Sequence, residues 1–568
     1  MCGIAGVLNG PGSARPLIET LAHRGPNGIR VEDGKGWSIG HARLSIIDLE
    51  GGWQPLHAAG STVIGNGEIY NYLELAEEFG LKDRLSTGSD FEPLLHLYAL
   101  EGEKAFDRLR GMYAFCLVGH DGRTWLVRDP FGIKPLYFRD GGSGLAEGAG
   151  VRFASEPRAL VDSIPALNEH AAGQLLNLNY SFSPTMLGHV HRLEPGAVAE
   201  VVGDFVEPRR IRPALPAPAI TTGDETQLLE RLDTILEDSV RVHQRSDVPY
   251  GLFLSGGIDS AAIATLMARL NERPVVAFTC GFDAPGAKDE RAQAERVATA
   301  LKLDWRETTF TEADFWEIAP KVAWALDDAT ADYAILPTYK LAQAARRDLT
   351  VVLSGEGGDE LFGGYGRYRR ALRPGWLGGR PAEPRVPYPW IGDWRDAVDR
   401  RAVPGRTPLQ NIQAADVATW LPDDLLLKLD RCLMANGLEG RTPFLDQEVA
   451  RFAFNLPDRM KLRGRFGKWL LRKWLERHCP AAEPWAKKQG FTVPVAGWIA
   501  PRAADLAVSI AAVEGVAAAI EPDAVSAIFS DDKHEARRWP LLFLALWSLI
   551  HLEGAEPAAA LATLLGEP

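Results

Sequence analysis

Along the first ~200 residues, apolar and polar positions alternate in short runs broken by glycine turns. Trp37–Ile47, Thr62–Ile64, Met112–Val118 and Trp125–Arg128 read as strands. The period then changes. Leu228, Leu229, Leu232, Ile235, Leu236 and Val240 recur on one helical face, and Asp224 with Gln227 three residues on forms a start signal. From there strands and helices alternate. Val248–Leu254, Pro274–Thr279 and Val351–Leu353 read as strands; Ser260–Asn271, Glu290–Leu301 and Thr338–Arg347 read as helices. Alternation of this kind predicts a parallel sheet covered by helices. The last ~150 residues are mainly helical in pattern. Their most apolar run, Trp539–Ile550, is shorter than the ~20 residues that cross a bilayer, so it is expected to be a buried helix.

Between the two patterns, Val206–Ile220 is polar and aperiodic, with Pro208, Pro213, Pro216 and Pro218, and reads as a linker. The expected division is therefore 2–205, a linker at 206–223, a second domain at 224–555 and a tail at 556–568. Ala371–Gln410 is rich in Pro, Gly and Arg and is expected to be an irregular insertion.

Composition narrows the function classes. A chain of 568 residues exceeds one ordinary core at ~100–200 residues per domain. The net charge of −13 argues against a nucleic-acid partner, which would need a basic surface. Cys2, Cys116, Cys280, Cys432 and Cys479 are odd in number and widely spaced, which fits neither a disulfide framework nor a zinc ribbon. The opening MCGIAGVLNG has no basic segment before an apolar run. A cytoplasmic enzyme without a membrane role is expected.

Cys2 follows the initiator Met, whose removal would leave an N-terminal cysteine. Its own amine, with a pKa of ~7.7–8.0, could then take the thiol proton. Alone, Cys2 reads better as a small buried residue. Its company is more specific: His23-Arg24-Gly25-Pro26, Arg43-Leu44-Ser45-Ile46-Ile47-Asp48, Asn66-Gly67-Glu68, Gly88-Ser89-Asp90, Gly111–Phe115 and Arg128–Tyr137. Together these runs resemble the glutaminase domain of the class II glutamine amidotransferases, an N-terminal-nucleophile αββα sandwich. The resemblance implies that Cys2 attacks the glutamine amide and that Asn66 and Gly67 form the oxyanion hole. It places Arg43, in the segment with Leu44, Ser45, Ile46 and Ile47, at the substrate carboxylate, and Glu68 and Asp90 at its ammonium. Asn27 stands where that family usually has Asp and is read as turn chemistry.

In the second half, Val248–Leu254 runs into Ser255-Gly256-Gly257-Ile258-Asp259-Ser260 and a helix. Glycines and free helix N–H groups at such a turn suit a phosphate, and the absence of a Lys sets it apart from a Walker A loop. Val351–Leu353 opens into a second such loop, Ser354-Gly355-Glu356-Gly357-Gly358-Asp359. The first loop resembles that of the ATP pyrophosphatases. With Lys428–Arg431, Leu438–Asp446 and Lys488–Phe491, the half resembles the asparagine synthetase family. That resemblance implies a parallel-sheet α/β domain with a helical C-terminal part. ATP would lie against Leu254, Ser255, Gly256, Gly257, Asp259, Ser260, Cys280, Ser354, Gly355 and Asp359. Asp259 and Asp359 would hold Mg²⁺, Lys488 would face the α-phosphate, with adjacent Lys487 as the alternative, and Glu356 would act as base. Implied substrates are glutamine, aspartate and ATP, and a homodimer is left open. Asp327–Pro337 departs from the family pattern at Asp328, Ala329 and Ala334. That keeps another acceptor in view: a sugar uronate, a peptide or a natural-product acid. A catalytically dead relative is disfavoured, because every charged candidate is present.

Overall fold

The computed structural model describes residues 2–161, 165–182, 184–283, 290–373, 403–486 and 493–567. The first half is built from β1 (Gly3–Leu8), β2 (Ile29–Gly34), β3 (Trp37–Ala42), β4 (Leu56–Ala58), β5 (Ser61–Ile69), β6 (Gly111–Val118), β7 (Thr124–Arg128), β8 (Tyr137–Arg139), β9 (Val151–Ala154), β10 (His191–Arg192), β11 (Ala197–Val202) and β12 (Phe205–Ile211). They form two antiparallel six-stranded sheets, in the orders β10-β8-β9-β1-β3-β2 and β12-β11-β7-β6-β5-β4. Ile4, Leu8 and Ile39 of one sheet meet Ile64, Ala114, Cys116 and Leu126 of the other in a dry layer. The helix Arg15–Glu19 covers the first sheet, and Glu92–Glu101 the second. This is the αββα sandwich.

Residues 206–211, read from sequence as the start of a linker, instead belong to β12. This strand lies at the sheet edge, and Pro208 sits at a register shift opposite Ala199, where a missing N–H is tolerated. The segment beyond is also tied down: Arg212 donates to the carbonyl of Leu109 at 3.2 Å, and Thr221 N donates to Asn455 O at 2.8 Å.

The second half carries a parallel sheet of β13 (Tyr250–Phe253), β14 (Val276–Phe282), β15 (Asp304–Phe310), β16 (Val351–Leu353) and β17 (Glu439–Arg441). Their order is β15-β14-β13-β16-β17. β13 therefore has β14 on one side and β16 on the other, and the direction of winding reverses there. A crevice opens outside the carboxyl ends of strands at such a switch point. The preceding helix, Glu225–His243, starts with the expected reciprocal cap: Gln227 N to Asp224 Oδ1 at 2.9 Å, and Asp224 N to Gln227 Oε1 at 3.1 Å.

Trp539–Ile550 lies within the buried helix Glu535–His551. Trp539 and Trp547 donate through their indole N–H groups to the carbonyls of Ala331 and Leu326, at 3.0 and 3.1 Å, and so support the loop between them. Residues 557–565, expected to be tail, form a helix that buries Ala560 and Leu564 against Glu312–Ala325. Most of the expected insertion lies outside the described residues; its end belongs to the helix Pro408–Ala418. No helix among the described residues is long and apolar enough to cross a membrane.

The halves share one core. Leu44, Met112, Phe131 and Ile133 of the sandwich join Leu353, Leu425, Leu426, Met434 and Phe444 of the second half in a single apolar cluster. A buried ionic seam runs beside it. Arg24 bonds Glu156 at 2.7 Å and Asp430 at 2.8 Å, and Arg431 lies 3.4 Å from Glu156 and 3.3 Å from Asp327. Removing one member of such a buried set typically costs ~3–5 kcal/mol, because the partner is left charged and unpaired. The seam fixes the relative position of the halves more than it adds net stability.

Candidate functional site

Two sites stand on this frame. The first is a cleft lined by Cys2, Arg43, Leu44, Ile46, Ile47, Gly67, Glu68 and Asp90, among others. β1 delivers Cys2 to its edge. Cys2 N donates to Asn66 Oδ1 at 3.0 Å, and the Cys2 carbonyl accepts from Arg24 Nε at 3.2 Å. Cys2 is thus pinned by the arginine that anchors the ionic seam. Burial pushes the Cys2 thiol above its ordinary value, so it needs a base to react.

Asn66 is fully buried, and its Nδ2 has no hydrogen-bond partner among the described residues. A buried amide donor left unpaired costs ~1–3 kcal/mol, which a developing oxyanion would recover. Gly67 follows with φ +129°, and a Cβ there would lie 2.0 Å from the Met112 carbonyl. Only glycine fits here, and Asn66-Gly67-Glu68 is part of β5, paired with β6, because the strand runs on to Ile69.

Both terminal nitrogens of Arg43 donate within its own loop, Nη1 to Leu49 O at 3.0 Å and Nη2 to Asp48 O at 2.6 Å, and it stacks on Trp53 at 4.8 Å. Ser45 turns its N–H to Asn27 Oδ1 at 3.0 Å. Asn27 is turn chemistry, as expected. Asp90 accepts from Ile69 N at 2.7 Å, yet burial raises its carboxyl to about 7. Burial, reinforced by Glu439, also raises Glu68 well above the carboxylate range. Two carboxyls that resist ionising until a cation arrives suit an ammonium ligand.

The second site lies at the switch point of the parallel sheet. Leu254 N bonds Phe278 O at 2.9 Å, and Thr279 Oγ1 donates to Leu254 O at 2.7 Å. The first loop folds on itself: Ser255 N donates to Ser260 Oγ at 3.1 Å, and Gly257 N to Ser255 Oγ at 3.1 Å. The second begins where Ser354 N donates to Arg441 O at 2.8 Å. The loops touch. A Cβ on Gly358 would fall 2.5 Å from Asp259 Oδ1, so the glycine is what lets them converge. Cys280 is buried near the end of β14, on the neighbouring strand.

Asp259 and Asp359 meet at Lys468. Its Nζ is 2.6 Å from Asp359 Oδ1 and bonds Asp259 as well. Nothing in the sequence singles out Lys468, which arrives from more than a hundred residues away on a residue with φ +55°. Two converging carboxylate oxygens fit Mg²⁺, which takes one or two carboxylates along with phosphate oxygens.

Glu356 lies on the same loop. Burial raises its carboxyl, opposed by Lys428, whose Nζ is 3.9 Å away. Lys428 Nζ also bonds Asp332 Oδ2 at 3.0 Å. The run containing Lys428 stands out in the sequence, but this contact does not. Asp332 is thus the member of the divergent 327–337 loop that reaches Glu356. Asp327 is spent on Arg158 and Arg431, and Asp328 bonds Tyr137 Oη at 2.9 Å and Arg192. Ala329 is fully buried. Lys487 and Lys488 lie outside the described residues.

A cysteine cleft in an αββα sandwich, joined to a phosphate-type crevice in a parallel sheet, defines a two-site amidotransferase architecture. Residues 1–210 match the Glutamine amidotransferase domain, and residues 231–552 match Asparagine synthase. The chain belongs to the asparagine synthase family. It is 32% identical to asparagine synthetase [glutamine-hydrolyzing] 1 of Bacillus subtilis, over 97% of each chain. It is 33% identical to a putative asparagine synthetase [glutamine-hydrolyzing] of Mycobacterium tuberculosis, over 97% of this chain and 98% of that one. Asparagine synthetase B of Escherichia coli is 30% identical, over 88% of this chain and 83% of its own.

Proposed function

We propose that the protein is a glutamine-dependent asparagine synthetase. Cys2 attacks the side-chain amide of glutamine, NH₃ leaves, and water hydrolyses the thioester to glutamate. Asn66 Nδ2 and the Gly67 N–H stabilise the oxyanion, Arg43 holds the α-carboxylate, and Glu68 and Asp90 take the ammonium. At the second site a carboxylate oxygen of aspartate attacks the α-phosphorus of ATP and displaces pyrophosphate, giving β-aspartyl-AMP. NH₃ then attacks the acyl carbon, Glu356 takes a proton and AMP departs.

Mg²⁺ on Asp259 and Asp359 would neutralise the departing pyrophosphate. Lys468 holds the two aspartates together, and Lys488 is assigned to the charge on the α-phosphate. Leu254, Ser255, Gly256, Gly257, Ser260, Cys280, Ser354 and Gly355 cradle the nucleotide.

The observation that carries this reading is the apolar cluster shared by the two halves, which reaches from Leu44 beside Cys2 to Leu353 before the Glu356 loop. It sets apolar, water-excluding surface between the two sites, where NH₃ would stay neutral. Aspartate as acceptor is supported by where the divergent residues go. Asp328 and Ala329 are absorbed by the interface, and Asp332 with Lys428 offers one charge of each sign to an amino acid.

The test supplies glutamine, ATP and aspartate to the purified protein. Asparagine, glutamate, AMP and pyrophosphate in equal amounts are expected. ADP as product contradicts the adenylate. AMP and pyrophosphate with another acid, but not with aspartate, moves the acceptor to a different carboxylate.

A further inference from the structure

Two side chains of the second half approach the cysteine cleft from behind. Glu439 and Arg441 stand on β17 and are fully buried. Arg441 Nη2 lies 3.3 Å from Glu68 Oε1, across the boundary between the halves. Arg441 Nε donates to Glu439 Oε1 at 2.6 Å, and Nη1 donates to the carbonyls of His243 and Arg245 at 2.8 and 2.6 Å. Tyr70, two residues beyond Glu68, has its ring 5.7 Å from the guanidinium. The fork is thus fixed on several sides, and it presents one edge to Glu68. The other oxygen of Glu68, Oε2, is buried without a hydrogen-bond partner among the described residues.

The backbone of the same residue belongs to the other site. Arg441 pairs with Leu353 across β16 and β17, and its carbonyl accepts the N–H of Ser354. Ser354 opens the loop that carries Glu356 and Asp359. One residue therefore touches the wall of the cysteine cleft with its side chain and the first N–H of the phosphate loop with its main chain.

Charge bears on what this contact does. Glu68 and Glu439 both face the one guanidinium of Arg441, at 3.3 and 2.6 Å. The fork reaches Oε1 of Glu68 and leaves Oε2 buried without a hydrogen-bond partner among the described residues, so what the cleft lacks at Glu68 is a cationic donor. The ammonium of glutamine supplies it. Once Glu68 pairs with that ammonium, its hold on Arg441 weakens, and the short, hydrogen-bonded path to Ser354 carries the change.

We propose that Glu439 and Arg441 are positioning residues for glutamine hydrolysis supplied by the synthetase half, and that Arg441 links occupancy of the glutamine cleft to the Ser354 loop. The inference rests on the cleft being a glutamine site. Linkage of this kind is reciprocal: filling the nucleotide crevice changes glutamine affinity by the same factor by which glutamine changes nucleotide affinity.

The test uses the full chain and the variants R441K and E439Q. R441K keeps the charge but loses the fork, and E439Q keeps the shape but loses the charge. Glutamate release is measured with and without ATP plus aspartate, and pyrophosphate release is measured with ammonium chloride replacing glutamine. Each variant should raise the KM for glutamine about ten-fold with a much smaller change in kcat, the sign of lost ground-state binding. In the unaltered protein, ATP plus aspartate should shift the glutamine KM by about five-fold or more, and R441K should erase that shift. The ammonium-driven rate should fall far less than the glutamine-driven rate, which separates positioning from misfolding. Equal loss in both rates, or an unmoved glutamine KM, overturns the inference. If the unaltered protein releases no glutamate at all, the glutamine reading falls and takes this one with it.

Discussion

The cysteine cleft and the nucleotide crevice are assembled in opposite ways. The cleft is made almost entirely by one half, from strands and loops of the same sandwich. Its unpaired Asn66 Nδ2 and reluctant Asp90 carboxyl are already in place. The crevice draws on loops after β13 and β16 and on Lys428 and Lys468, which arrive from distant parts of the chain. A site built within one sandwich can be rigid before substrate arrives. A site gathered from several elements depends on long-range packing and on the charges that bind there.

The sharpest way to break this contrast is to disable each site alone. Replacing Cys2 by Ala should abolish glutamine-driven synthesis, by ~10⁴-fold or more, because no other thiol lines the cleft. Ammonium-driven synthesis should fall far less, and the two rates measured side by side are the check. Equal loss would mean that the halves do not divide the work.

A smaller effect is expected from the oxyanion donor. Asn66→Ala should lower kcat for glutamate release by ~10²–10³-fold, with little change in the glutamine KM. Lys468→Met should slow pyrophosphate release by ~10²-fold and leave two un-neutralised aspartates facing each other, so Mg²⁺ should bind more tightly and be needed at lower concentration. Unchanged Mg²⁺ dependence would remove Lys468 from the site.

The smallest effect concerns pH. Burial raises the Asp90 carboxyl to about 7, against ~3.9 in an unfolded chain. The folded protein holds this proton more tightly, so its contribution to stability is full below the unfolded value and is lost as pH rises through about 7. The melting temperature without ligand should therefore decline between pH 5 and 8 (a range set by ~3.9 and about 7), and less so in Asp90→Asn. Glutamine needs the ionised carboxylate and should stabilise the protein more at the upper end.

The same contrast governs what is legible in the chain itself. Ser255-Gly256-Gly257 announces itself because glycine at a strand end is needed for local backbone reasons, and Asn66-Gly67-Glu68 because a glycine with φ +129° inside β5 admits no side chain. The helix after Asp224 is legible from its reciprocal cap and apolar face. Lys468, Glu439 and Arg441 are not legible as site residues. Their roles come from tertiary contacts, and no local spacing encodes a salt bridge across more than a hundred residues. β12 reads as linker because Pro208 argues against a strand unless the strand is known to be an edge. The last helix reads as tail because Ala560 and Leu564 make a sparse pattern whose partner, the helix Glu312–Ala325, lies far away in sequence.

The claim on which both halves depend is that nitrogen passes between them without meeting solvent. It is tested most directly by running the synthesis with glutamine labelled with ¹⁵N in the side-chain amide, in a large excess of unlabelled ammonium, below the concentration at which ammonium itself drives the reaction. The product amide should retain the label of glutamine almost undiluted. A product whose isotope ratio follows the free ammonium pool would contradict the shared core as a route for NH₃.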